Sequence, residues 1–303
     1  MADSASTAPL AFAGVTGGGV PGEAVRALAA RAAAVGLAPP RAITVARPEG
    51  EAAGDISVEV SLPRAGDPLV EGTSPDEGLD VLFFLLRKLR RLHAGGFTHN
   101  DVQLSSILVH RGQQRRRGKR EREDGAVDSV SLVGMGAAAE AGSGQAGAVS
   151  SSAPAPEQVL GAGPSEATDV FQAGLAVLEA CASGDGLRLL QDTRGRAARA
   201  VALCGLPSRA FAARAGLAAA WRRAAAGGAE TSPVHEELVS ACVPPGSLRA
   251  ALEAMLRPCP DARCTAAGAM ESDAFKATRR SLRVRRAAGD GPAHAAAAVR
   301  PER

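Results

Sequence analysis

The stretch Leu79–Val109 constrains the fold more than any other part of this 303-residue chain. A helix start signal precedes it, with Ser74 as N-cap, Pro75 in the first turn and Glu77 three residues after the cap. Apolar residues then recur at helical spacing, and the basic residues fall mostly off that stripe. The stretch therefore predicts an amphipathic helix that ends at Gly95–Gly96, then a polar loop, and then a short apolar strand.

The polar loop resembles the catalytic loop of eukaryotic-type protein kinases, whose pattern is His-Arg-Asp, four residues, then Asn. His99 and Asp101 match that pattern. Asn100 stands where Arg is usual, Gln103 where Lys is usual, and Ser106 where the metal-binding Asn is usual. The resemblance implies that Asp101 is a vestigial catalytic base and that Ser106 is a degenerate metal position.

Further motifs follow in the order that protein kinases have them. Gly134 stands at the metal-binding Asp of Asp-Phe-Gly, so it is a second degenerate metal position. Glu157 closes an Ala-Pro-Glu, Asp169 opens an Asp-Val-aromatic helix start, and Arg263 lies in a Pro-x-x-Arg-x-Thr-Ala ending. The resemblance gives these residues and His99 structural roles. Glu157 and Arg263 would form a buried ion pair, and Asp169, also a plausible helix cap, would accept backbone N–H groups from the catalytic loop.

Together these motifs predict an α+β, protein-kinase-like two-lobed fold. Its small lobe is reduced, since too few residues precede the hinge for five strands, and its large lobe is mainly helical. The expected organisation is a disordered or irregular N-terminus at 1–22, a reduced small lobe at 23–66, a large lobe at 67–276 and a basic, Ala-rich tail at 277–303. The mixed-charge run Arg111–Asp128 predicts a solvated loop inside the large lobe.

The groups that would hold a nucleotide are missing from their expected places. Phosphoryl transfer depends on positioning and on charge neutralisation by Lys and Mg²⁺. The first Lys is Lys88, inside the large-lobe helix, and the predicted helix Glu23–Gly36 holds no Glu beyond its first residue. We therefore predict a catalytically inactive pseudokinase that acts as an interaction or allosteric module. No cofactor is expected, and ATP with Mg²⁺ is expected only if residual activity remains.

Two alternatives stay open. The chain could be a weakly active Ser/Thr protein kinase that uses Asp101 as base. It could also be a dinucleotide-binding enzyme, because Gly17, Gly19 and Gly22 satisfy GxGxxG between a predicted strand and a predicted helix. Against the second alternative, the next strand ends at Arg47 rather than at an acidic ribose ligand, and the chain has no Tyr for short-chain dehydrogenase chemistry.

Composition limits the class of partner. Apolar residues make up 46% and charged residues 22%, which is typical of a soluble globular protein. A net charge of +3 is too mild to indicate nucleic acid, no apolar run is long enough for a membrane, and the cysteines show no metal spacing. We expect a protein partner, such as an active kinase or its substrate.

A cytoplasmic location is the default expectation, since no secretory signal is visible. The altered loop also resembles that of degenerate members of the apicomplexan rhoptry kinase family. That resemblance implies secretion into a parasite secretory organelle, which would require an incomplete N-terminus.

Overall fold

The structure is a computed structural model that describes most of the predicted large lobe. It covers residues 66–111, 126–133, 155–159, 163, 165–184, 239–257 and 259–280, together with the strands at 7–11, 42–46, 57–61 and 139–140. Several predicted features lie outside the described residues: the GxGxxG glycines, the helix Glu23–Gly36, Gly134, residues 112–125 of the charged loop, and the tail beyond residue 280.

Three strands form a small antiparallel sheet near the start of the chain. They are β1 (Thr7–Ala11), β2 (Ala42–Ala46) and β3 (Ser57–Ser61), in the order β1-β3-β2. The strands predicted at 42–46 and 56–62 are confirmed, the second one residue shorter at each end. The prediction of an irregular stretch at 1–22 is wrong for β1, whose backbone pairs with β3 from Thr7 opposite Ser61 to Ala11 opposite Ser57. The domain boundaries themselves stay predictions.

The same sheet contradicts the dinucleotide-binding alternative. That fold needs the strand before GxGxxG to lie parallel to its neighbours in the sheet. Here β1 and β2 flank β3, and each runs antiparallel to it. A glycine-rich sequence satisfies GxGxxG by chance, and pairing direction, which the motif does not encode, decides against the alternative.

Helix α1 (Pro75–Ala94) confirms the predicted helix at both ends. Ser74 is the N-cap, and its Oγ accepts a hydrogen bond from the Glu77 backbone N–H at 3.3 Å. Gly95 is the C-cap, and Gly96 follows with φ +79°, a conformation that favours glycine. Local capping chemistry is sufficient to set the length of this helix.

The core surrounds α1 more completely than an amphipathic pattern predicts. The predicted stripe is buried, and so are side chains between its members, including Val81, Phe84 and Leu85. Helix α1 packs against helix α3 (Glu166–Cys181) and against a three-stranded antiparallel sheet. The sheet has the order β4-β6-β7, in which β4 is Asp67–Pro68, β6 is Ile107–Arg111 and β7 is Val127–Leu132.

Short strands hold the polar loop at both of its ends. Strand β5 (Phe97–Thr98) precedes the loop and pairs with β8 (Ala139–Glu140), and β6 follows it. The strand predicted at 130–133 begins three residues earlier, at Val127, and ends at Leu132. The loop between β5 and β6 therefore has a fixed entry and a fixed exit.

Helices from the later part of the chain complete the core. They are α2 (Pro156–Val159), α3, α4 (Ser247–Met255) and α5 (Ala266–Glu271). Thr265 caps α5 as predicted, but this helix ends at Glu271 rather than at Phe275, because Ser272 adopts an extended ψ of 160°. Phe275 is fully buried, with its ring centre 5.6 Å from that of Phe83. Within the described ranges, no helix has the length and apolarity needed to cross a bilayer.

Candidate functional site

The loop His99–Ser106 begins against the side chain of Asp169 on α3. One carboxylate oxygen, Oδ2, accepts the His99 backbone N–H at 2.8 Å, and Oδ1 accepts the Asn100 N–H at 2.7 Å. The His93 imidazole contributes a third contact, with Nε2 2.9 Å from Oδ2. Asp169 is fully buried, so these charge-assisted bonds replace the water that the carboxylate loses.

Asp169 does not cap α3, which corrects one expectation. The N-cap is Ser165, whose Oγ accepts the Thr168 backbone N–H at 3.1 Å. Asp169 lies one turn further on, on the side of α3 that faces the loop. Its carboxylate thus serves another segment rather than its own helix.

His99 is fully buried and is positioned by both ring nitrogens. Its Nε2 lies 3.1 Å from the Val133 carbonyl oxygen, and its Nδ1 lies 3.3 Å from the Asp101 backbone N–H. The carbonyl can only accept and the backbone N–H can only donate, so these partners select a neutral ring that carries its proton on Nε2. Burial lowers the pKa of His99, and it outweighs the opposing effects of Asp169, the Val133 carbonyl and Asp101.

Asn100 stands where protein kinases usually have Arg, and its side chain turns inward. Its backbone has φ +62°, a left-handed conformation that Asn tolerates better than most residues. Its Nδ2 donates to Thr98 Oγ1 at 2.9 Å, and the residue is 1% exposed. A buried amide takes the place of an extended cation.

Asp101 is partly exposed, and its neighbours in the loop hold it. Gln103 Nε2 donates to Asp101 Oδ2 at 3.3 Å, while the Asp101 N–H donates to His99. The part of the chain that the structure describes holds no group of three or more His, Cys, Asp or Glu residues that could bind a metal ion.

Ser106 is buried, and its hydroxyl group closes a turn. Its Oγ donates to the Gln103 carbonyl at 2.9 Å and accepts the Gln103 backbone N–H at 2.8 Å. The Ser106 N–H also donates to the Gln103 carbonyl, at 2.9 Å. The hydroxyl has one proton, and the turn uses it.

Glu157 and Arg263 form a buried bidentate ion pair. Arg263 Nη1 lies 2.6 Å from Glu157 Oε1, and Nη2 lies 2.8 Å from Oε2. Further bonds join the pair to α3, since Thr168 Oγ1 donates to Glu157 at 3.0 Å and Arg263 donates to the Ala167 carbonyl at 3.1 Å. The guanidinium also lies 4.7 Å from the centre of the Phe171 ring. The planar fork of Arg suits this fixed geometry.

A pair of glutamines that the motifs do not reveal lies between these contacts. Gln172, fully buried on α3, accepts the Val102 N–H at 3.0 Å and donates to the Asn100 carbonyl at 3.0 Å. It also donates to Gln158 Oε1 at 3.0 Å. A sequence signal did exist: one amide inside an apolar helix requires buried partners.

Helix α3 thus carries or contacts most of the predicted site residues. It holds the loop of His99 and Asp101 through Asp169 and holds the Glu157–Arg263 pair through Thr168. Ser106 lies in the same loop and is used within it, and Gly134 lies outside the described residues. The resemblance implied two of these contacts, that of Asp169 with the loop and that of Glu157 with Arg263.

The described residues combine helices with antiparallel sheets, which agrees with the predicted α+β class. No family model and no curated protein matches the chain. Among solved structures, 1634 chains match, and one of them is ROP2 from Toxoplasma gondii, described as a virulence factor with a protein-kinase fold and no enzymatic activity. The chain is 17% identical to ROP2 with a TM-score of 0.48, and the match covers 88% of this chain and 71% of ROP2.

Proposed function

We propose that this kinase-like domain is a pseudokinase, which binds a protein partner and does not transfer phosphate. The observation that carries the proposal is the use of the Ser106 hydroxyl. In a kinase the residue at this position binds a metal ion, whereas both bonds of the Ser106 Oγ go to the backbone of Gln103. These bonds use the proton and one of the two lone pairs of the hydroxyl oxygen, so at most one lone pair of a neutral hydroxyl is left for a metal ion.

The rest of the loop supports the proposal. Gln103, at the usual position of a catalytic-loop Lys, brings no positive charge toward a phosphate group. Asn100 is turned into the interior toward Thr98. Charge neutralisation is the main requirement of phosphoryl transfer, and these substitutions remove cations rather than supply them.

Lys88 does not replace the missing strand lysine. It lies in α1, a large-lobe helix, rather than in a strand of the small sheet. Burial lowers the pKa of Lys88, and the charges of Arg91 and Arg87 lower it further. This lysine belongs to a basic helix surface.

The proposal also includes the expectations about cofactor, partner and location that the sequence raised. It includes no bound cofactor, a protein partner rather than nucleic acid or membrane, and a cytoplasmic location by default. Kinship with the degenerate rhoptry kinases, and with it secretion by a parasite, is a narrower version of the same proposal.

Thermal unfolding with ATP, in the presence and absence of Mg²⁺ or Mn²⁺, tests the proposal. We expect no change in the unfolding temperature at millimolar nucleotide, since a ligand stabilises a fold only by binding it. An active protein kinase serves as the positive control. A rise in the unfolding temperature that requires both ATP and the divalent cation would contradict the absence of a phosphate and metal site.

A weakly active Ser/Thr kinase is the second candidate, and the placement of Asp101 favours it. The carboxylate is partly exposed, and His99 and Gln103 hold it as an oriented base would be held. Transfer of radiolabelled phosphate to a mixture of Ser/Thr peptides tests this candidate. Transfer that Asp101→Asn abolishes, and that Asp128→Asn on the exposed face of β7 leaves intact, would establish it and refute the first proposal.

A further inference from the structure

The buried amide of Gln172 brackets the backbone on both sides of Asp101. Its Oε1 accepts the Val102 N–H, and its Nε2 donates to the Asn100 carbonyl, both at 3.0 Å. A primary amide can pair in this way with a carbonyl and with the N–H two residues later, as a neighbouring strand does. The peptide groups next to Asp101 are therefore held by a side chain of α3.

The second hydrogen of the same nitrogen reaches a different segment. Gln172 Nε2 donates to Gln158 Oε1 at 3.0 Å, and that oxygen also accepts the Ala155 backbone N–H at 2.8 Å. Gln158 is 4% exposed and Gln172 is fully buried. One amide thus joins the loop of Asp101 to the segment Ala155–Gln158.

The orientation of the Gln172 amide follows from these partners. The opposite orientation would place Nε2 against the Val102 N–H, and Oε1 against the Asn100 carbonyl and Gln158 Oε1. Such an arrangement would lose three buried hydrogen bonds at once. The network therefore has one orientation of the Gln172 amide that satisfies all of these groups.

We propose that Gln172 couples the loop of Asp101 to the segment Ala155–Gln158, so that opening either one loosens the other. When Gln158 moves away, one side-chain N–H of Gln172 loses its acceptor in the interior, where water cannot replace it. The bonds of Gln172 to Asn100 and Val102 on either side of Asp101 then weaken. A protein that grips the Ala155–Gln158 segment would thereby change the mobility of the loop. The inference goes beyond the proposed function, because it holds whether or not the protein transfers phosphate.

Amide hydrogen exchange of the full chain, followed residue by residue by NMR, tests the coupling. Gln158→Met removes the acceptor of Ala155, so the Ala155 N–H exchanges faster for a direct reason. The informative amide is Val102, which bonds to Gln172 and not to Gln158. We expect the Val102 N–H to exchange about tenfold faster in this variant, the factor that matches the loss of one typical buried hydrogen bond.

The reverse variant checks reciprocity, which any coupling must obey. Gln172→Met should speed exchange of the Ala155 N–H, although Ala155 bonds to Gln158. If Gln172→Met does not fold, the Gln158→Met arm decides alone.

A control separates coupling from general loss of stability. Ser165→Ala removes the cap of α3 without touching either glutamine, and the Leu178 N–H within α3 reports opening of the helix core. If the two segments are coupled, Gln158→Met leaves the exchange rate of the Leu178 N–H unchanged. In Ser165→Ala, the exchange rate of the Val102 N–H should rise by no more than that of the Leu178 N–H. Unchanged Val102 exchange in Gln158→Met, or a rise that Leu178 matches, would overturn the proposal.

Discussion

The first turns of helix α3 and the loop His99–Ser106 lie against each other, but they use their polar side chains differently. The α3 region makes contacts between distant parts of the chain, such as Asp169 with the loop and Glu157 with Arg263. In the loop, Asn100 donates to Thr98, Gln103 to Asp101 and Ser106 to Gln103, each across two or three residues. One set of contacts joins elements together, and the other shapes a single turn.

The difference indicates which task the sequence still serves. A buried charge is tolerated only when it is paired, so the carboxylates at Asp169 and Glu157 indicate an intact architecture. A site for a triphosphate would need cations and metal ligands that point away from the loop. In the loop, the side chains of Asn100, Gln103 and Ser106 instead bond to groups two or three residues away.

The largest expected effect comes from breaking the contacts between distant elements. Arg263→Met should lower the free energy of unfolding by about 3–5 kcal/mol, because Glu157 is left charged and unpaired in the core. Urea denaturation measures this change. The matched control is Arg249→Met, which loses a partly exposed bond to Glu253 and should cost about 0.5 kcal/mol or less. Equal costs for the two variants would remove the distinction between the two kinds of contact.

A second test concerns the contact of α1 with α3. A Cβ on Gly78 would overlap Cys181 Sγ, so Gly78→Ala should destabilise the protein by about 1–3 kcal/mol through overpacking. In an open helix the same change would stabilise by about 1 kcal/mol, so the sign of the measured effect is decisive. Thermal or urea unfolding in a Cys181→Ala background provides the control, where we expect less than half the cost. A cost that Cys181→Ala does not reduce would show that the two helices do not approach so closely.

The sequence predicts the architecture where the signals are local or carried by a motif. The capping residues Ser74 and Glu77 are enough to place the start of α1, and the resemblance is enough to associate Asp169 with the loop. The roles of Gln172 and Gln158 could not be predicted, because each needs a partner about 14 to 70 residues away and an amide has no family motif to mark it. Only the dinucleotide-binding alternative predicted a strand before the glycines, because a strand such as β1 within a run of small residues gives no period-two signal.

A smaller effect is expected inside the loop itself. Ser106→Ala removes both side-chain bonds that close the turn at Gln103, which should cost about 1 kcal/mol per lost hydrogen bond. Ser105→Ala at the exposed neighbouring position is the matched control and should be neutral within about 0.5 kcal/mol. Unfolding free energies give the stability, and Mg²⁺ titration of both variants gives the second readout. If Ser106→Ala were neutral and weakened Mg²⁺ binding, the hydroxyl would be a ligand rather than a turn residue.

The last predicted effect, that of His99 on the free energy of unfolding, is negligible at neutral pH and grows on acidification. Burial lowers the pKa of His99 below its ordinary value of 6.5, so the unfolded chain binds a proton more readily than the folded one. The stability that the neutral ring contributes is therefore present above pH 6.5 and is lost as the pH falls from there toward the folded pKa. One such group changes the unfolding free energy by at most about 1.4 kcal/mol per pH unit.

Urea unfolding at several pH values between 7.5 and 5 gives this slope for the wild type and for His99→Gln. Gln lacks a titrating ring, so the slope should be shallower in the variant. NMR of the ring nitrogens supplies a direct measurement, in which His99 stays neutral with its proton on Nε2 as the pH falls below 6.5. A His99 ring that gains a proton at its ordinary pKa would mean that the ring is not buried in solution as it is in this structure.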